Sequence, residues 1–355
     1  MSGPEAGEMQ HSRYPFTAFP TGWYRIAGSR ALKPGAVRPL HCCGQDLVLW
    51  RDQAGRVHVF DAHCPHLGAH LGHGGKVVDD SIQCPLHGWR YDGTGQCVAV
   101  PLARALPKVA TKSWPTAEVN GAVLLWFDAE GRPPAWHMPE LPEYSSPQWS
   151  RFYTGKVWRM KTHVQEFGEN GMDMAHFPHL HRQQTVGADS LAVEIDGPTL
   201  THRVVQHHNI FGIGLRLGIK LKGTLDITCH GLGCVVNRAR IDGQASLGWC
   251  VVFYFLPLDE SRVEVRSFYS VRRKGILTWP LAALAMREGN LVIDQDVPIW
   301  ENKKFRPRPR LSDADGPIMA YRRWTQQFYG AGTAGAAEPL GSAGELIEAN
   351  LPYPH

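Results

Sequence analysis

No apolar run in the 355-residue chain approaches the roughly 20 residues a bilayer-spanning helix needs, so a transmembrane segment is not expected. Basic runs are missing too. The net charge of +4 is dispersed, which argues against the electropositive stripe of a nucleic-acid binder. The N-terminal MSGPEAGEMQHSRYP has neither the basic start nor the apolar segment of a secretory signal, and residues 1–18 read as a disordered leader. Cysteine is present without a disulfide pattern: Cys42, Cys43, Cys64, Cys84, Cys97, Cys229, Cys234 and Cys250 are irregularly spaced in a chain far larger than a disulfide-stapled domain. A reducing compartment, the cytoplasm, is the expectation. There is no internal repeat.

What is present divides the chain in two, each part long enough to bury a core of its own. Residues 19–130 carry short half-alternating runs (LVLWRD, VHVFDA, AVLLWFD) parted by Gly-containing turns, as in a small all-β domain. The Pro-rich GRPPAWHMPELPE marks a linker over 131–148. From 149 to 330, a Pro-free helical stretch over 161–177 precedes strand-like segments (LTHRVVQHHNI, TLDITCHGLGCVV, SLGWCVVFYFL, RVEVRSFYSV). Helical patterns then return over 281–300 and 315–329. The fold class is α+β, with the second domain an antiparallel sheet plus helices. Residues 331–355, rich in small residues, read as a flexible tail.

Two motifs carry chemistry. In CPHLGAHLGHGGKVVDDSIQCPLHGW, Cys64 and His66 form C-x-H, and Cys84 and His87 form C-x-x-H. A Rieske [2Fe–2S] centre places two thiolates on one iron and two imidazoles on the other. Cys64 with Cys84 would hold one iron and His66 with His87 the other. Tetrahedral zinc also accepts two Cys and two His, but its ligands usually come as Cys-x-x-Cys and His-x₃₋₅-His, whereas here each loop supplies one of each. His63, His70 and His73 lie nearby as polar loop residues or supporting donors.

The second motif is EFGENGMDMAHFPHLHR, where Asp173, His176 and His181 form D-x-x-H-x₄-H just after Glu169 and Asn170. Residues three apart share a helix face, which sets Asp173 beside His176. Pro178 should end the helix at Phe177, removing the phase that would favour His179 and leaving His181 to return from the following turn. Two His and a carboxylate on one face of Fe(II) leave positions open for O2 and substrate. The late segment GNLVIDQDVPIWENKKF offers Asp294 and Asp296 as the carboxylate, and spacing does not choose between them.

In this order and at this distance, the two motifs resemble those of the Rieske non-haem iron oxygenases over about 19–329. Within them the Rieske segment, the KSW and EVNG stretches and GENGMDMAHFPHLH look like the cholesterol 7-desaturases. DQDVPIWENKKF and DGPIMAYRRWTQQFY are also similar to the 3-ketosteroid 9α-hydroxylases. The resemblance implies a helix-grip-like catalytic domain. It matches Cys64, His66, Cys84 and His87 to the cluster ligands, and His176, His181 and Asp296 to the mononuclear iron ligands. Asp173, beside Asn170, matches the residue that links the cluster of one subunit to the iron of the next in a homotrimer. It further implies O2 as co-substrate, electrons from NAD(P)H through a ferredoxin or reductase, and a sterol or steroid substrate. The reaction would be hydroxylation, 7-desaturation or oxidation of a C4 methyl group. Counterparts of the animal desaturases' N-terminal membrane helices are not expected in this sequence.

Phe211, Leu215, Leu217, Trp249, Phe253 and Phe255 are candidates for core or for the wall of a hydrophobic cavity. In RRKGILTWPLAALAM, three basic residues precede an apolar run. A buried helix start and a peripheral membrane contact are the two readings. Cys42, Cys43, Cys229 and Cys234 read as buried structural thiols, and Arg322 and Arg323 as solvated helix charges rather than a ferredoxin dock. Competing functions are an oxygenase of another hydrophobic natural product and a Rieske electron carrier without oxygenase activity.

Overall fold

A computed structural model describes residues 13–14, 19–181, 184–185, 193–208, 221–243, 247–312 and 314–330. Phe211, Leu215, Leu217 and the tail lie outside them, as does most of the leader. The N-terminal domain is built of three small antiparallel sheets. In one, β1 (Gly22–Gly28) pairs with β11 (Ala122–Phe127) and β11 with β10 (Thr116–Val119). The second runs β2 (Val37–Cys42), β3 (Gln45–Arg51), β4 (Val57–Asp61), β9 (Ser113–Trp114). The third runs β5 (Lys76–Val78), β6 (Ser81–Gln83), β7 (Arg90–Asp92), β8 (Cys97–Ala99).

The catalytic domain is α+β. Its antiparallel sheet has the order β12 (Tyr153–Met160), β19 (Arg262–Val271), β18 (Gly248–Asp259), β17 (Cys234–Ile241), β16 (Leu221–His230), β15 (Thr199–His208), β13 (Gln184–Thr185). β14 (Val193–Asp196) also pairs with β15. The helices are α1 (Pro142–Ser145), α2 (Val164–Met172), α3 (His176–Leu180), α4 (Thr278–Asn302) and α5 (Ile318–Thr325).

Two strands explain how the domains join. Successive side chains on a strand face opposite ways. On β11 this sends Val123, Leu125 and Phe127 into the N-terminal core with Tyr24, Leu47 and Val59, while Ala122, Leu124 and Trp126 face the other side. β18 does the same, with Val251, Phe253 and Phe255 toward the catalytic helices and Cys250, Val252 and Tyr254 toward β11. The faces of β11 and β18 meet in one core that also takes Met138 and Leu141 from the Pro-rich segment. In that segment Met138 and Leu141 are packed structure rather than a loose tether.

The helical stretch foreseen over 161–177 is interrupted. α2 stops at Met172, Asp173 lies in extended conformation, and α3 starts at His176 with Pro178 in its first turn. A proline there costs nothing in hydrogen bonds, because the first turn's N–H groups have no helical acceptor. The Asp173 carboxylate accepts from the N–H of Ala175 at 3.0 Å and so helps start α3. Asp173 and His176 therefore do not share one helical face, as the unbroken pattern had suggested. α2 docks on α5 at Gly168, where a Cβ would overlap the Tyr321 hydroxyl.

Candidate active site

The two cluster loops are the same turn used twice. The N–H of Cys64 donates to Ala69 O (2.9 Å) and that of Gly68 to Cys64 O (2.9 Å). In the second loop Cys84 donates to Trp89 O (2.8 Å) and Gly88 to Cys84 O (3.1 Å). Gly68 and Gly88 close these turns at φ 74° and 73°, a left-handed backbone that other residues rarely adopt. Both Cys are buried, while His66 and His87 are exposed with ring centroids 4.9 Å apart. His66 stacks on Trp89 at 4.3 Å. A tetrahedral zinc site would need the four ligand atoms to converge on one point, and among the described residues they do not. Thiolates inside and imidazoles outside suit a two-iron cluster.

The sulfurs meet donors suited to thiolate. The backbone N–H groups of Leu86 and His87 work against the burial that raises the Cys84 thiol. The Tyr91 hydroxyl lies 3.1 Å from Cys64 Sγ, and burial pushes its own ionisation well up, so it stays protonated and donates. Such hydrogen bonds stabilise the reduced cluster. Tyr91→Phe is therefore expected to lower the midpoint potential by tens of millivolts with the cluster spectrum intact, as read by protein-film voltammetry.

The second centre draws on α2, α3 and α4. His176, His181 and Asp296 bring one ligand atom each to within 4.8 Å of one another. His176 Nδ1 donates to the Asp173 carbonyl (2.6 Å), which leaves Nε2 as the free lone pair. His181 Nδ1 donates to Gln295 Oε1 (2.8 Å), fixing that ring likewise. His181 Nε2 faces Asp296 Oδ1 at 3.3 Å, and both atoms are buried without a hydrogen-bond partner. Burial would lower the His181 ring, but the Asp296 carboxylate outweighs it and holds the ring raised. Convergent, with His181 Nε2 and Asp296 Oδ1 buried and orphaned, this donor set fits Fe(II). The Asn170 amide nitrogen lies 3.1 Å from His176 Nε2 and 3.3 Å from Asp296 Oδ2, at the mouth of the site.

Asp294 is held away by Lys156 Nζ (2.6 Å) and Trp158 Nε1 (2.7 Å), so of the two carboxylates only Asp296 reaches the His pair. His179 is exposed. The Asp173 carboxylate is 3.6 Å from His176 Nδ1 with its side chain 30% exposed. Arg322 is no solvated charge: it grips Glu169 with two bonds (2.7 and 2.8 Å). Phe253 and Phe255 are core, packed on Phe167. The sequence reading passed over Gln295, Trp89 and Tyr91, although the last two fall in CPLHGWRYD directly after the second loop.

A half-buried pair of His with one buried carboxylate, together with exposed-imidazole cluster loops in the same chain, defines a Rieske-type non-haem iron oxygenase. Residues 22–114 match the Rieske [2Fe-2S] domain and 125–329 the 3-ketosteroid 9alpha-hydroxylase C-terminal domain. The chain is 33% identical to a cholesterol 7-desaturase of Ciona intestinalis (88% of this chain, 69% of that one) and 31% identical to a 3-ketosteroid-9-alpha-monooxygenase oxygenase component of Rhodococcus rhodochrous (92% and 85%). The chain belongs to the Rieske non-haem iron oxygenases, in the branch that holds these steroid and sterol enzymes, with a [2Fe–2S] cluster and a mononuclear iron as cofactors and O2 as oxidant. Its fold is also that of dicamba monooxygenase bound to dicamba (TM-score 0.70, 21% identity, 88% of this chain and 98% of that one).

Proposed function

We propose that this chain is the terminal oxygenase component of a system that oxidises a sterol or steroid, with electrons from NAD(P)H arriving through a ferredoxin or reductase. The convergent His176–His181–Asp296 face carries this reading, because an electron carrier has no use for it. The steroid and sterol relatives, aligned over about nine-tenths of the chain, support the substrate class.

When bound, the cluster supplies single electrons and the mononuclear iron supplies O2 activation for attack on an unactivated C–H bond. The chain supplies position. Asp173 O and Gln295 Oε1 fix the tautomer and tilt of the two imidazoles, and Asn170 closes the side facing His176 and Asp296. The surrounding burial keeps water from competing with an apolar substrate.

The chain acts as a head-to-tail homotrimer in this proposal, with Asp173 bridging His176 to His87 of the partner subunit. The part-exposed Asp173 carboxylate supports this, as do Leu67 and Leu86, exposed by 67% and 54% beside the imidazoles. Asp173→Asn is expected to cut turnover about 100-fold while cluster and iron contents hold. A monomer in sedimentation velocity would sink the trimer.

We further propose a cytoplasmic enzyme that touches the membrane surface at the start of α4, where Ile276, Leu277 and Trp279 are 94%, 58% and 54% exposed after Arg272, Arg273 and Lys274. Absence of co-sedimentation with anionic liposomes at low salt would remove that contact.

The function is tested by mass spectrometry of sterols and ketosteroids incubated aerobically with the protein, NADH and a surrogate ferredoxin–reductase pair, with His176→Ala as control. One added oxygen marks a hydroxylase or methyl oxidase, and loss of two hydrogens a desaturase. No product from a reducible cluster and a loaded iron site would overturn the sterol assignment.

A further inference from the structure

Three arginines with little exposed side chain each hold a carboxylate in a two-pronged grip: Arg51 with Glu118, Arg238 with Glu143 and Arg322 with Glu169. Arg25 breaks the pattern. It sits on β1, where the register with β11 shifts between Arg25 and Ala27, and such an irregularity re-aims side chains. Its guanidinium points into a cavity of about 330 Å³ between the two domains. There its carbon lies 4.7 Å from the centre of the Phe268 ring and 5.9 Å from that of Tyr254. It makes no ion pair and no side-chain hydrogen bond with any described residue, and Glu264 acts on it only through space.

The walls repeat the message. Arg30 is the other charged residue, and no acid lines the cavity. Phe152, Phe268, Tyr144 and Tyr254 supply aromatic surface. Tyr254 is nearly buried, and its hydroxyl makes no hydrogen bond to any described residue. Burial, with Arg266 adding to it and Tyr254 and Glu264 opposing it, lowers Arg25 to about 10, so it stays charged at neutral pH. A guanidinium in this setting has cation–π contacts but lacks the planar two-oxygen partner that its fork fits.

We propose that the cavity between β1, α1 and strands β12, β18 and β19 is a second ligand site, separate from the iron centre, that binds a small organic acid. The acid's carboxylate bridges Arg25 and Arg30, and its apolar body lies against Phe152, Phe268 and Tyr144. The volume is at the lower end for small-molecule sites, which selects an aryl or short alkyl acid rather than a tetracyclic sterol. Because the walls come from both domains, the occupied site ties β1 to the catalytic sheet.

The test is calorimetric titration of the iron-loaded full chain with phenylacetate, acetate and benzyl alcohol. Phenylacetate should bind saturably, at least about tenfold more tightly than either fragment, since each lacks one half of the recognition. Arg25→Gln should weaken phenylacetate at least about tenfold. Tyr144→Ala, at a half-exposed position, should weaken it several-fold without moving acetate, and so serves if Arg25→Gln does not fold. His176→Ala should leave phenylacetate binding unchanged. Loss of binding in His176→Ala would place the acid at the iron and overturn the proposal. Equal affinity for acetate and phenylacetate would show an adventitious anion only and overturn it equally, as would undiminished binding in Arg25→Gln or in Tyr144→Ala.

Discussion

Replacing Asp296 by Ala is expected to take the iron content from about three to about two per chain, leave the cluster's absorption and EPR signals in place, and abolish product formation. The reason lies in the geometry of the orphaned atoms. His181 Nε2 and Asp296 Oδ1 are buried 3.3 Å apart with no other partner, an arrangement that is costly unless a metal ion or the proton of a charged imidazole lies between them. Removing the carboxylate leaves two neutral imidazoles, of which only His176 retains a polar neighbour at Nε2, Asn170. Asp294→Ala is the matched control. Its carboxylate serves Lys156 and Trp158, so that variant should keep its iron and most of its activity. Iron analysis by plasma emission separates the two within one experiment, and full iron in Asp296→Ala would refute the assignment.

Lys303→Met, at a residue that is not a candidate metal ligand, is expected to destabilise the fold by about 3 kcal/mol. Glu166 is fully buried on α2 and ion-paired with Lys303, which also reaches Glu169 at 3.7 Å. Burial raises the Glu166 carboxyl and Lys303 opposes that, so without the lysine the group is held further toward its neutral form. The sign of the pH dependence follows. An acid whose folded-state pKa is raised contributes stability below its unfolded value and loses it as pH climbs through the folded one. The deficit of Lys303→Met should therefore be small near pH 5 and grow toward pH 8, measured by urea denaturation. A deficit that does not change with pH would mean that Glu166 does not carry the effect.

Much of the chemistry was legible in the sequence because it is local. Each cluster loop is a six-residue turn whose candidate ligands and closing glycine lie within five consecutive residues, so Cys64, His66, Cys84 and His87 could be singled out without knowing what surrounds them. The α+β class followed from period and punctuation in the same way. Longer-range choices were less visible. Asp294 and Asp296 are two apart on one helix, and only the packing of α4 against Trp158 and Lys156 on one side and His181 on another tells them apart. The break at Asp173 was misplaced because proline is read as a helix terminator, although in the first turn of a new helix it is harmless. Gln295 gave no signal, since nothing local marks a glutamine that will orient a histidine 114 positions away.

The core shared by β11, the Pro-rich segment and β18 bears on how this lineage can be recombined. Trp126 and Leu124 complete one hydrophobic layer with Val252 and Tyr254, so neither domain has a finished surface without the other. A graft that exchanges the electron-carrying half between relatives by cutting at the prolines would pair two faces never selected to fit. It should yield aggregates unless both sides of the layer travel together. Within the chain the two halves thus share one hydrophobic layer, which makes them a poor pair of exchangeable modules.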